Sequence, residues 1–315
     1  MVTLSPRVAR LRAGNPSPMT LDGTNGYVVQ VGERRLVAID PGPLDAVQCE
    51  AFLAAARDQR MTYAAILVTH GHPDHAPGAA ALHAATGAPV FAHPQAMFPH
   101  NVTLADGERL TFAQTAFTVL HAPGHARDHL VFVLEDEHAL FTGDVVLGAG
   151  TVVVAPPSGD MRAYQATLHR LRDEHGDAAA IYGGHGPERR DVRDVLDFYI
   201  AHREQREGQI VDVLRRGAAT LPAIVHVVYR EVDERLWPAA ARQVLAYLLA
   251  LEDEGIVASE RLERAPTPEE AALLNPDLSR LGQGIGADVI RAELGFGTAE
   301  PLLEYSLCHG EPDEP

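Results

Sequence analysis

Three imidazoles and a carboxylate fall within six residues, His70-Gly71-His72-Pro73-Asp74-His75. All four are metal-binding side chain types, and so many in one short turn points to a cation between them. The apolar run Tyr63 to Val68 reads as a strand entering the motif. On an extended chain His70 and His72, two apart, face one side. Pro73 lacks an amide hydrogen and marks where the strand pattern stops. Asp74 and His75 then fall on the turn into a helix, Ala79 to Thr86. Imidazole and carboxylate suit zinc, with iron and manganese as weaker alternatives.

Four donors cannot close two sites, and the chain offers more, each after a strand-like run. Ala116 to Ala122 leads into Pro123-Gly124-His125, Ala139 to Thr142 into Gly143-Asp144, and Ala178 to Tyr182 into Gly183-Gly184-His185-Gly186-Pro187. Donors at the carboxyl ends of strands lie where an α/β sheet normally binds ligands. His129 has two readings, facing the site or solvated in a loop. His202 reads, with nine other histidines, as an ordinary surface or hydrogen-bonded residue.

These residues resemble the metallo-β-lactamase-fold hydrolases, whose pattern is H-x-H-x-D-H followed by a histidine, an aspartate and a final histidine. The resemblance implies a first metal site of His70, His72 and His125 and a second of Asp74, His75 and His185. Asp144 would bridge the two. Asn15-Pro16, Gly23-Thr24-Asn25, Ile39-Asp40-Pro41-Gly42, Asp128-His129, Phe141 to Gly148, Pro156 to Met161 and Gly184-His185-Gly186-Pro187 are similar to the β-lactamase-like protein 2 group. The likeness runs from about Val8 to about Ala258. It implies an α/β fold, a four-layer αββα sandwich, followed by a small winged-helix-like domain. Asp40 would accept a hydrogen bond that orients a ligand histidine; its other reading is a turn residue before Pro41.

The chemistry implied is hydrolysis. Two cations roughly 3.5–4 Å apart share a water and lower its pKa toward ~7, giving a hydroxide nucleophile that Asp74 steers. No serine nucleophile is called for, and Gly-x-Ser-x-Gly is absent. The group resemblance gives phosphodiester hydrolysis of single-stranded RNA as the first expectation. Hydrolysis of a small thioester, ester or lactone is the alternative. A third reading is a regulator that binds nucleic acid through its winged helix without catalysis; seven intact donors argue against it. A net charge of −17 opposes polyanion binding.

The elements that must position these residues follow from pattern. With 315 residues and 46% apolar content there is material for one large domain and a smaller one. Strand–helix alternation occupies residues 1–200, with amphipathic helices at Arg162 to Glu174 and Asp191 to Arg206. From Gly208 the pattern turns helical: Gln209 to Arg216, Pro222 to Tyr229, Pro238 to Glu254, then a strand at Ile256 to Ser259. Residues 201–264 therefore read as the winged-helix-like domain. With eight arginines against ten acids over 201–262, it lacks the basic footprint of a duplex DNA reader and reads as a lid or a homodimer surface.

Residues 265–315 read as an acidic, partly flexible tail, in which Leu273-Leu274, Ile285 to Leu294 and Leu302-Leu303 could dock. No leader or membrane span is evident, and Cys49 and Cys308 sit in no motif, so a cytoplasmic location is expected. All 26 basic residues are arginine; on its own this decides nothing.

Overall fold

The computed structural model describes residues 1–276, Leu294 and residues 301–308. The chain opens with β1 (Val2–Thr3), β2 (Val8–Arg12), β3 (Asn25–Gly32), β4 (Arg35–Ile39), α1 (Ala46–Asp58), β5 (Thr62–Leu67), α2 (Pro77–Thr86), β6 (Val90–Ala92) and β7 (Val102–Thr103). These strands form one sheet in chain order, antiparallel from β1 to β4 and parallel from β4 to β7. A second sheet holds β8 (Arg109–Phe112), β9 (Thr115–His121), β10 (Leu130–Leu134), β11 (Ala139–Gly143) and β12 (Ala180–Gly183), with α3 (Met161–His175) between the last two in sequence.

Side-chain alternation explains the layering. Tyr27, Val29 and Val31 point to one face of β3 and meet Phe117, Phe132 and Phe141 in the core between the sheets. Val28, Leu36, Ala38 and Ile66 point the other way, onto Phe52, Ala55 and Leu82 of α1 and α2. In the second sheet Val131, Val133, Leu140 and Ile181 meet Tyr164, Leu168 and Leu171 of α3. β10, Leu-Val-Phe-Val-Leu, is therefore buried on both faces, which is why it reads as an unbroken apolar run. Helices outside and sheets inside give the αββα sandwich.

Strand direction gathers the motifs. β9 and β11 each run antiparallel to β10, and β12 runs parallel to β11. The carboxyl ends of β9, β11 and β12 thus emerge at one edge of the second sheet. Leu130 N–H donates to Thr69 O, tying the 70–75 turn of the first sheet to that edge.

After the sandwich come α4 (Val192–Arg215), β13 (Ala219–Thr220), α5 (Leu221–Val228), α6 (Trp237–Asp253), β14 (Val257–Arg261), α7 (Pro268–Leu274) and β15 (Leu303–Leu307). Two expectations are corrected. Val192–Arg215 form one helix where two were expected, Asp191 to Arg206 and Gln209 to Arg216: Gly208 lies inside α4, where a glycine costs only ~1 kcal/mol against alanine. Buried Arg203 and Ile210 on either side hold the helix through it.

Second, part of the acidic tail belongs to the winged helix, because β15 is the central strand of a three-stranded sheet, order β13-β15-β14. Leu273, Leu274, Leu302 and Tyr305 join the core with α6. Long sequence separation hides such a pairing from local pattern. The expected docking segment Ile285 to Leu294 lies outside the described residues except for Leu294, which is buried. No helix among the described residues is long and apolar enough to cross a membrane.

Candidate metal centre

His70, His72, Asp74 and His75 leave the carboxyl end of β5, His125 follows β9, Asp144 follows β11 and His185 follows β12. These seven side chains form three overlapping groups: His70, His72 and His125; His70, His75 and Asp144; and Asp74, His75 and His185. Within each group the donor atoms all lie within 4.8 Å of one another. His72 and His125 are half-buried and the rest are buried.

Hydrogen bonds fix which nitrogen each ring presents. Asp40 Oδ2 accepts from His75 Nδ1 at 2.9 Å and from Thr69 Oγ1 at 2.7 Å, while Oδ1 accepts from Thr69 N–H at 2.8 Å. The Thr69 hydroxyl, having donated to Asp40, accepts from His70 Nδ1 at 3.0 Å. One carboxylate thereby places the ring proton of both histidines on Nδ1. Their Nε2 atoms carry lone pairs, and both are buried without a hydrogen-bond partner. His125 Nδ1 donates to Val153 O at 2.9 Å, so its bare Nε2 faces His72 Nδ1, also at 2.9 Å.

The carboxylates sit among these rings. Asp144 Oδ2 lies 3.3 Å from His185 Nε2 and 3.8 Å from His125 Nε2, and its Oδ1 lies 3.5 Å from His75 Nε2. Asp74 Oδ2 lies 3.4 Å from both His75 Nε2 and His185 Nε2. Asp144 Oδ1 is buried and unpartnered. Buried lone pairs converging on one place are costly unless something cationic is shared. The donor set therefore fits divalent metal.

Electrostatics divides the cluster. Burial, with neighbouring imidazoles, holds His70 well below the usual range and pushes His72 down to about 3. These rings are neutral and ready to ligate. Burial also opposes charge on His75 and His185, but Asp74 and Asp144 outweigh it and hold both rings above their ordinary value. Burial resists ionisation of Asp144 too, yet His185 and His75 hold it well below the carboxylate range. The carboxylate field that favours positive charge at His75 and His185 is the one a divalent cation would answer.

His129 is buried, stacked on His70 with ring centroids 4.6 Å apart, and its Nε2 accepts from Asp144 N–H at 3.1 Å. The solvated-loop reading is thus replaced by a ring wedged behind the donors. Other contributors went unrecognised in the sequence. Thr24 Oγ1 donates to Asp74 Oδ2 at 2.6 Å and is itself fixed by Asn15, whose Nδ2 donates to it at 3.0 Å. Asn25 Nδ2 donates to Gly183 O and Gly186 O, and Tyr27 Oη to Gly183 O, clamping the turn that carries His185. Threonine and asparagine are common enough that only their place in the Gly23-Thr24-Asn25 motif marked them.

A cavity of about 230 Å³ opens over the donors, lined by His72, Asp74, His125, Asp144 and His185. Its remaining walls are largely apolar: Met19, Leu147 and Val152 from the sandwich, and Val232, Leu236, Ala239 and Ala240 from the C-terminal region. The loop carrying Val152 to Pro156 is held from that region. Buried Arg203 Nη2 donates to Val152 O at 2.7 Å, and Arg242 Nη2 to Pro156 O at 2.6 Å. His202 of α4 also lines the cavity, contrary to its reading as an ordinary histidine.

Residues 19–185 match the metallo-beta-lactamase superfamily, and residues 220–264 the beta-lactamase associated winged helix domain. The chain is 35% identical over 273 residues to a beta-lactamase-like protein 2 homolog of Drosophila melanogaster, covering 80% of this chain and 90% of the relative. It is 33% identical over 252 residues to an atrochrysone carboxyl ACP thioesterase of Aspergillus chevalieri, covering 73% and 76%. A crystal structure of a metallo-beta-lactamase family protein from Thermus thermophilus shares the fold, with TM-score 0.69 at 23% identity over 82% of this chain and 97% of that one. The chain belongs to the metallo-β-lactamase superfamily and carries that superfamily's associated winged-helix domain at its C-terminal side.

Proposed function

We propose that this protein is a dinuclear zinc hydrolase of small acyl thioesters or esters. His70, His72 and His125 would hold one ion and Asp74, His75 and His185 the other. Asp144 faces both groups with its two oxygens and would bridge. When bound, two divalent cations supply Lewis acidity, lowering the pKa of a water toward ~7 and polarising the scissile carbonyl. Asp40 keeps the Nε2 lone pairs of His70 and His75 aimed inward. Thr24 occupies Asp74 Oδ2, leaving Oδ1 to take a proton from the attacking water. That water adds to the carbonyl carbon, the carbon–sulfur bond breaks, the proton taken by Asp74 passes to the departing sulfur, and the products are a carboxylic acid and a thiol.

The observation that carries the substrate class is the cavity wall. Apolar side chains of the winged-helix region close over the donors and leave a space suited to an acyl group. Arg206 is the only arginine among its described lining residues, a poor footing for a polyanion. The relative named as a thioesterase supports this reading, whereas the single-stranded RNA reading rests on the group resemblance. Zinc-loaded protein offered a panel of acyl thioesters, esters, lactones and an unstructured RNA oligomer is expected to turn over the thioesters, and Asp74→Ala to abolish that turnover. Cleavage of RNA alone would overturn the assignment.

A further inference from the structure

Part of the cavity wall is not apolar. His202 and Arg206 of α4 and Tyr229, just beyond α5, line it and belong to none of the donor motifs. The Arg206 guanidinium lies over the Tyr229 ring, 4.7 Å from its centroid. Its Nη1 is engaged by Val228 O at 2.9 Å and Gln209 Oε1 at 2.8 Å, so its position is fixed by the protein. Its Nε, however, is buried without a hydrogen-bond partner, and so is His202 Nδ1, while the Tyr229 hydroxyl has beside it only the neutral side chain of Gln243, which also lines the cavity. Tyr229 is only 8% exposed. Both hydrogen-bond partners of the Arg206 guanidinium are neutral, and its charge at the wall of this cavity suits an anionic occupant.

We propose that His202, Arg206 and Tyr229 form a second subsite that binds a carboxylate of the substrate, remote from the bond that is cleaved. This rests on the acyl-hydrolase reading and narrows it to acyl groups carrying a distal carboxylate. The guanidinium supplies a positive charge, and the Arg206 N–H and Tyr229 O–H donate to a group that only accepts. Burial, helped by Arg203 and Arg206, pushes His202 down to about 4, so its ring adds a neutral polar contact at pH 7. The apolar residues Val232, Leu236 and Ala240 would pack against the methylenes between the two ends of such a substrate.

The test is calorimetric titration of the zinc-loaded protein with glutarate and, separately, with pentanoate, which has the same chain length and a methyl in place of the second carboxylate. Glutarate is expected to bind about tenfold tighter. Arg206→Gln should erase that advantage, and Tyr229→Phe, which keeps the ring and removes the hydroxyl, should reduce it severalfold. Equal affinity for the two acids, no binding of either, or an advantage that survives Arg206→Gln overturns the subsite. Turnover of glutaryl and pentanoyl thioesters separates the two claims. Thioester cleavage without a glutaryl preference sinks the subsite alone. Tight glutarate binding with no thioester cleaved sinks the reaction and leaves the subsite standing.

Discussion

At the scale of single residues, Asp40 holds the proton arrangement of the centre through His75 directly and through Thr69 to His70. Losing such a partner typically costs 10–100-fold in metal affinity. Asp40→Ala is expected to weaken zinc binding by that factor in a competitive chelator titration; unchanged affinity would show the ring orientation is set elsewhere. Thr24→Val keeps the shape and removes a hydrogen bond to a buried carboxylate, a loss of about 1.5–3 kcal/mol. Turnover should fall roughly ten- to hundredfold with zinc content preserved. The donors were legible because imidazoles and carboxylates clustered beside glycines are rare. Thr24, His202 and Arg206 were not, since a threonine in a turn and polar residues on an amphipathic helix become parts of a cavity only through tertiary packing.

At the scale of elements, two glycines show how context decides. Gly184 sits in the turn after β12, where a Cβ would collide with Asp144 Oδ1 and press on His75. Gly184→Ala should strip metal from the protein while leaving its far-ultraviolet circular dichroism intact. Gly208 falls between the two helices expected from sequence, yet it lies inside α4 with nothing within 4 Å of a built Cβ. Gly208→Ala should therefore stabilise the fold by about 0.5–1 kcal/mol in denaturant melts. The strands feeding the donors were readable from apolar runs, because strands buried on both faces have continuous hydrophobic sequence. The central strand β15 was not, since its partners β13 and β14 lie over forty residues away in the chain and no local period announces it.

At the scale of the whole molecule, the winged-helix region completes the cavity, and the segment beyond Arg264 completes the winged helix. Cutting the chain after Arg264 would unpair β13 and β14 and remove the buried side chains of Leu273, Leu274, Leu302 and Tyr305. At ~1.5–3 kcal/mol each, that loss rivals the ~5–15 kcal/mol stability of a typical protein. The shortened chain is expected to aggregate or melt well below the full one in scanning calorimetry; an unaltered melt would contradict the packing. Metal should matter on the same scale, since a ligand at a hundredfold excess over its Kd adds about 2.7 kcal/mol.

The most direct test is an anomalous difference map, collected at the zinc edge, from crystals grown with zinc. Two peaks are predicted, one among His70, His72 and His125 and one among Asp74, His75 and His185, with Asp144 reaching both. A map empty at those side chains, or with zinc bound only elsewhere on the surface, would contradict the account.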